Sequence, residues 1–217
     1  METTITRLRV TEIFYSLQGE SRTVGMPTVF IRLTGCPLRC QYCDTSYAFS
    51  GGQWMDLQEI LEQVGRYQTP YITVTGGEPL AQPDCHALLT LLCDTGYEVS
   101  LETSGALDIS TVDKRVVKVM DIKTPDSAEE QKNRWENIDA LEAKDQVKFV
   151  ICSEADYEWA KAVLSGYKLN DRCEVLFSPS YQQLAPRTLA EWILRDQLTV
   201  RFQLQLHKIL WGEEPGR

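Results

Sequence analysis

Residues 28–45, TVFIRLTGCPLRCQYCDT, run from a β-branched apolar segment into a loop holding Cys36, Cys40 and Cys43, with three and then two residues between them. A short apolar run ending in Thr-Gly reads as a buried strand with the cysteine loop at its C-terminal end. The pattern recurs in YITVTGG (71–77), EVSLETSG (98–105), VVKVMDIKTP (116–125), QVKFVICS (146–153), EVLFSPS (174–180) and VRFQLQLH (200–207). Each is a β-branched run closed by a polar or glycine-bearing turn. Helix-period stretches lie between them: residues 56–67 place Leu57, Ile60, Leu61 and Val64 on one face, and residues 84–95 do the same with Leu88, Leu89, Leu91 and Leu92. Residues 154–165 and 187–195 read likewise. Alternating strand and helix implies parallel strands joined by right-handed crossovers, in a doubly wound sheet or a barrel. A complete eight-fold barrel takes about 250 residues, so 217 residues favour an α/β fold with an incomplete (β/α) TIM-like barrel, residues 1–217 forming a single domain. The polar segment 124–145 reads as a loop and a surface helix, the tail 211–217 as irregular, and His207 as the end of an alternating strand.

In such a barrel the C-terminal strand ends gather at one mouth, where substrates bind. TGCPLRC, TGGEP, ETSG and DIKTP all fall there. The composition, 43% hydrophobic and 24% charged, is that of a globular protein. A net charge of −9 argues against direct nucleic-acid binding, which needs clustered Lys and Arg. The N-terminal stretch lacks a charged segment followed by a long apolar run, and nowhere do 18 apolar residues stand together, so a cytoplasmic protein without a membrane span is expected. Seven cysteines then point to reduced thiols or a metal site rather than a disulfide framework. Cys85, Cys93, Cys152 and Cys173 are expected to pack as small apolar residues.

Three close thiols suit some metals better than others. Structural zinc takes four ligands, commonly two distant pairs; here His86 and His207 are far away in sequence, and Asp44 would make an unusual fourth ligand. A four-iron cube takes one thiolate per iron, so three cysteines leave one iron open to a substrate or cofactor. Gly76 and Gly77 would let a ligand approach the backbone closely, and Glu78 could act by charge or cap the following turn.

The cysteine spacing, with Tyr42 immediately before the last cysteine, resembles the cluster loop of the radical S-adenosylmethionine (SAM) superfamily. There a [4Fe-4S] cluster held by Cys36, Cys40 and Cys43 would leave its open iron to the methionine end of SAM, and one electron would release a 5′-deoxyadenosyl radical that abstracts hydrogen from substrate. FYSLQGE (14–20), FIRLTGCPLRCQYCDT (30–45), TVTGGEP (73–79), LETSG (101–105), MDIKTP (120–125) and QLHKILWG (205–212) together resemble the 7-carboxy-7-deazaguanine synthase family over nearly the whole chain.

That resemblance implies a Mg2+-assisted ring contraction of a pterin, 6-carboxy-5,6,7,8-tetrahydropterin, to 7-carboxy-7-deazaguanine with loss of ammonia, on the way to queuosine and other 7-deazapurines. It implies substrate contacts from Leu17, Gln18, Gly19, Glu20 and Thr75, and from Arg32, whose planar fork suits the substrate carboxylate. Tyr42, Cys43, Asp44, Gly77, Glu78, Asp121, Ile122 and Lys123 would bind SAM, and Thr45 would ligate Mg2+, which prefers oxygen donors. The family is expected to form a homodimer and to take its electron from a donor such as flavodoxin. Ser104, Ser178 and His207 stay unassigned. A glycyl-radical-enzyme activase and a noncatalytic zinc or electron-transfer module are the competing readings; the first shares the cysteine loop, the second would ignore SAM.

Overall fold

A computed structural model describes residues 6–214 and 216 of the chain. The first five residues, Pro215 and Arg217 lie outside the described residues, and with them parts of the leader and tail readings. Among the described residues nine strands form one sheet in the order β3-β1-β2-β4-β5-β6-β7-β8-β9. The strands are β1 (Arg7–Leu17), β2 (Pro27–Leu33), β3 (Gln53–Asp56), β4 (Tyr71–Gly76), β5 (Glu98–Thr103), β6 (Val117–Asp121), β7 (Gln146–Ile151), β8 (Glu174–Pro179) and β9 (Arg201–Phe202). From β2 to β9 all neighbours are parallel; β1 pairs antiparallel with both β2 and β3. The sheet ends on β3 and β9 without joining them, which is the open, incomplete barrel expected from the strand-helix alternation.

Four α-helices match the periodic stretches: α1 (Leu57–Val64), α2 (Cys85–Asp94), α3 (Glu154–Gly166) and α4 (Pro186–Arg195). Helix α1 begins at Asp56, whose carboxylate accepts from Glu59 N–H while the Glu59 carboxylate accepts from Asp56 N–H, a reciprocal cap that satisfies two donors. Ser153 caps α3 on Asp156 N–H. The helices cover the outer face of the sheet, and Ile60, Val64, Leu88, Leu92, Ala160 and Leu189 pack there on Ile31, Val74, Leu101, Phe149 and Phe177. The inward positions of the same strands carry Thr73 and Thr75, Ser100 and Glu102, Asp121, and Gln146 and Lys148.

Strand β1 changes face partway. Val10 lies opposite Leu33 and Glu12 opposite Arg32, so Thr11 is an extra residue on this strand, a β-bulge. Before it Leu8 and Val10 belong to the outer core; after it Ile13 does, and Glu12 shares a face with Arg32.

Two expectations need correction. The VRFQLQLH run yields only the two-residue β9, and His207 lies in a short helix, α5 (Leu206–Trp211), which also takes in the first residue of the tail. The chain leaves the sheet because its amides find partners on the 19–21 loop: Gln203 Oε1 accepts from Ser21 N–H at 2.7 Å, Gln203 Nε2 donates to Ser21 O at 3.0 Å, and Leu206 N–H donates to Gly19 O at 2.9 Å. Residues 124–145 form three 3₁₀ turns and no α-helix. The buried Asn137 amide donates to Gly105 O and Leu107 O, and Trp135 stacks on Tyr167 with ring centroids 4.9 Å apart, so this segment is pinned as a covering loop.

Candidate active site

The cysteine loop leaves the end of β2 through Gly35, at φ +100, a conformation glycine adopts freely. It is anchored by Gly35 N–H on Ala48 O (2.8 Å), Gln41 N–H on Ser127 O (3.1 Å) and the buried Leu38. The TGGEP turn packs directly against it: Gly77 N–H donates to Leu33 O and Glu78 N–H to Gly35 O. A Cβ at Gly76 would stand 2.3 Å from Leu33 O, and one at Gly77 2.3 Å from Gly35 O and 2.7 Å from Cys36 Cβ. The double glycine therefore admits the close approach of the cysteine loop itself.

Glu78 is completely buried. Its carboxylate accepts from Leu80 N–H (3.0 Å), the Thr103 hydroxyl (2.9 Å), Ser104 N–H (2.7 Å) and the Ser104 hydroxyl (2.5 Å). It caps the following turn, as one reading had it, and ties the end of β4 to that of β5; this also places Ser104, which the sequence left unassigned. Glu78→Ala should lower the unfolding free energy by about 3 kcal/mol, since buried donors lose their acceptor. A urea midpoint shifted by less than the equivalent of about 1 kcal/mol, at unchanged slope, would refute this.

Cys36, Cys40 and Cys43 are free, half-buried thiols. Burial pushes Cys40 up to about 11 and raises Cys36, so metal must displace their protons to bind. Among the described residues no three His, Cys, Asp or Glu side chains converge on one ion; a cube, which takes each thiolate on a different iron, asks for a wider spread than a zinc ion does. Beside the loop, Tyr42 Oη and Asp121 Oδ1 are buried with no hydrogen-bond partner. Two orphaned polar atoms flanking three thiols fit a cluster accompanied by a polar cofactor.

Asp121 Oδ2 is paired with Lys123 Nζ at 2.8 Å, and that ammonium lies 5.8 Å from the centroid of the Tyr42 ring. Burial would lower Lys123, but Asp121 outweighs it and the lysine stays charged. Ile122 turns into the outer core, leaving only its backbone to face the site. Cys85 and Cys173 are buried as expected; Cys93 and Cys152 are half-buried, Cys152 lying at the end of β7, 4.0 Å from Gln41 Nε2.

The expected substrate residues converge on a group the sequence had not singled out, Glu102. Gln18 is 2% exposed; its Nε2 donates to Thr73 Oγ1 (3.0 Å) and Glu102 Oε1 (3.3 Å), and its Oε1 accepts from Glu20 N–H. The Thr75 hydroxyl donates to Glu102 Oε2 at 2.9 Å. Burial and the nearby Glu20 raise the Glu102 pKa. Lys148, also not foreseen, donates to Glu20 Oε2 at 2.5 Å and stands 3.9 Å from Asp121 Oδ2, linking the Gln18–Glu20 side to the cysteine-loop side. Both came from strands whose inward residues are polar, the E of LETSG and the K of QVKFV; the alternation marked the positions but not their purpose. Gln18 backbone N–H and C=O are paired with Met26 and Gly25, so its side chain is what lines the interior. Leu17, the last residue of β1, leads into that turn.

Helix α5 lies over Gly19, where a Cβ would come 2.2 Å from His207 Nδ1. Gln205 Nε2 donates to Glu20 Oε1 at 2.8 Å, and Lys208 Nζ lies 3.3 Å from Asp44 Oδ2. Burial would raise Asp44, but Lys208 and the Thr45 hydroxyl, which donates to Asp44 Oδ1 at 2.8 Å, hold it low. A separate cavity of about 140 Å3 opens at the N-terminal ends of the strands, its lining including Ser21, Thr73, Ser100 and Gln146. It holds none of the cysteine-loop residues.

The signature of the Radical SAM superfamily matches residues 30–163. The chain is 46% identical over 210 residues to the 7-carboxy-7-deazaguanine synthase of Chlorobaculum tepidum, covering 95% of this chain and 96% of that one. It is 41% identical over 222 residues to the synthase of Koribacter versatilis, covering 95% and 98%. Among solved structures, QueE from Escherichia coli shares the fold with a TM-score of 0.78 at 22% identity, covering 93% of this chain and 95% of that one. Streptococcus suis SuiB bound to S-adenosylmethionine shares it at a TM-score of 0.55 and 15% identity, over 79% of this chain and 45% of that one.

Proposed function

The chain belongs to the 7-carboxy-7-deazaguanine synthases of the radical SAM superfamily, and from that membership we propose how its own residues serve the conversion of 6-carboxy-5,6,7,8-tetrahydropterin to 7-carboxy-7-deazaguanine and ammonia, a step of 7-deazapurine and queuosine biosynthesis. Substrate and products balance with ammonia alone, so no external oxidant is consumed. The observation that carries the reading is the meeting, at one mouth, of a three-thiol loop with an interior of amide, hydroxyl, carboxylate and guanidinium groups suited to a polar bicyclic acid.

Cys36, Cys40 and Cys43 would hold a [4Fe-4S] cluster, and Asp121 Oδ1 and Tyr42 Oη, with the backbone of Cys43, Asp44, Gly77 and Ile122, would receive SAM. When bound, the pair supplies a one-electron cleavage that yields a hydrogen-abstracting carbon radical. Glu78 and Lys123 act around that place: Glu78 sets the turn, and Lys123 holds the Asp121 carboxylate in place beside the thiols through its ion pair.

Leu17, Gln18, Gly19, Glu20 and Thr75 line the substrate side and Arg32 takes the carboxylate. Helix α5 lies over the Gly19 side of the interior, which holds Glu102 as the group placed to move a proton while a ring nitrogen leaves as ammonia. Thr45 and the substrate carboxylate would share Mg2+, the Thr45 hydroxyl turning from Asp44 to the metal. Thr45→Ala should raise the Mg2+ concentration for half-maximal rate about tenfold; an unchanged Mg2+ response would remove Thr45 from the site. No helix among the described residues is long and apolar enough to cross a membrane. A single-domain cytoplasmic enzyme, working as a homodimer with a flavodoxin-like donor, completes the reading.

The test is an anaerobic assay of the iron-reconstituted protein with reductant, SAM, Mg2+ and the carboxylated tetrahydropterin, followed by mass spectrometry. Catalytic yields of the deazaguanine support the proposal. SAM cleavage without that product would sink the substrate assignment.

A further inference from the structure

Arg32 is not an isolated fork. Its Nε donates to Glu12 Oε1 at 2.7 Å, and Tyr47 Oη donates to the same oxygen at 2.7 Å. Its Cζ lies 5.6 Å from the centroid of the Phe14 ring and 5.7 Å from that of Tyr47, and Phe14 in turn stacks on Phe30 at 4.9 Å with the rings 7° from parallel. The guanidinium thus has two aromatic rings within cation–π reach and is tethered through its inner nitrogen. The side chain is 14% exposed.

Tethering by Nε has a chemical consequence. A guanidinium has five donors in a fixed plane, and the pair of terminal amino groups makes the fork that matches a carboxylate. With Nε on Glu12 and no partner for either terminal nitrogen among the described residues, that fork is the edge left for a ligand. The arrangement depends on the bulge: in unbroken alternation Glu12 would share the face of Val10, in the outer core, and Arg32 would stand inside without this tether. Tyr47 comes from the 3₁₀ turn Ser46–Phe49 that follows Asp44 and Thr45, so one hydroxyl joins the loop of the cluster to the fork.

We propose that Glu12 and Tyr47 are positioning residues that fix Arg32 for bidentate recognition of the substrate carboxylate, and so set the preference for a carboxylated pterin over its decarboxylated counterpart. The inference rests on the substrate reading above. Glu12 works against simple charge attraction, since a carboxylate beside the fork repels a second one; what it supplies is orientation of a long side chain that otherwise samples many rotamers.

The sign of the effect separates the two. Steady-state constants for the carboxylated tetrahydropterin, and binding of the decarboxylated tetrahydropterin to the same reconstituted protein, are to be measured for the parent chain, Glu12→Gln and Tyr47→Phe. Positioning predicts that KM for the carboxylated substrate rises about tenfold in both variants, more than kcat falls, while affinity for the decarboxylated compound and iron content stay at parental values. A KM that falls in Glu12→Gln, a KM unchanged in both variants, or equal weakening of both pterins would overturn it. Tyr47→Phe keeps the ring and the net charge, so it decides the matter if Glu12→Gln folds poorly. A parent chain that makes no deazaguanine would overturn the substrate reading instead, and this inference with it.

Discussion

Cys40→Ala protein should retain no stable four-iron cluster after reconstitution and give no detectable deazaguanine, while its urea unfolding midpoint stays close to the parental one. The loss is total because each cysteine serves one iron, and a cube short of a second ligand has no substitute donor among the described residues: the fourth nearby cysteine, Cys152, belongs to the end of β7. Folding should survive because Cys40 is half-exposed and outside the packed core. Iron and sulfide analysis with the visible spectrum reads the first half, and denaturation the second. Full iron content with unchanged turnover would dismiss the three-thiol site; loss of fold would mean that the loop is part of the structural core.

Glu102→Gln should lower kcat about 10²–10⁴-fold, the usual worth of a positioned acid or base. The substitution keeps shape and most hydrogen bonds, since an amide oxygen still accepts from Thr75. What disappears is the ability to change protonation. Because burial, joined by Glu20, raises the Glu102 pKa, the parental kcat should climb with pH through a value above the ordinary carboxylate range if the ionised form accepts the proton. The variant should lack that limb. A variant with parental kcat, or one with the same pH limb as the parent, would take Glu102 out of the chemistry and leave it a partner of Gln18 and Thr75.

The strands, helices and cysteine loop were legible because local rules made them. Leu57, Ile60 and Val64 repeat at helical spacing, β2 and β4 are runs of β-branched residues, and Gly35 closes a strand where the chain must turn. The parts that were hard to read depend on partners far along the chain. Leu206 leaves the β9 direction because Gly19 accepts its N–H, across 187 positions by numbering (206 − 19). The surface helix expected within 124–145 gives way to 3₁₀ turns, where Gly105 and Leu107 accept from the Asn137 amide. Within the site, the family motifs marked Gln18, Glu20, Thr75 and Arg32, yet the groups that hold them, Glu102 for Gln18 and Thr75, Lys148 for Glu20 and Glu12 for Arg32, are ordinary charged residues on strands. Only the direction each side chain faces gives them meaning, and a bulge at Thr11 decides that for Glu12.

The two faces of the sheet divide their labour completely enough to matter for how such a protein changes over time. Cohesion comes from the outer layer, where Ile31, Val74, Leu101, Phe149 and Phe177 meet the helices; selection for a folded chain acts there. Apart from the Phe14–Phe30 stack, the inner face is largely polar, so a replacement such as Thr75→Ser alters what the hollow can hold while leaving the scaffold standing. Drift on the concave side is then tolerated by the fold and tested by chemistry alone. A shared backbone persisting at 15% identity between this chain and SuiB is what such a separation would leave behind.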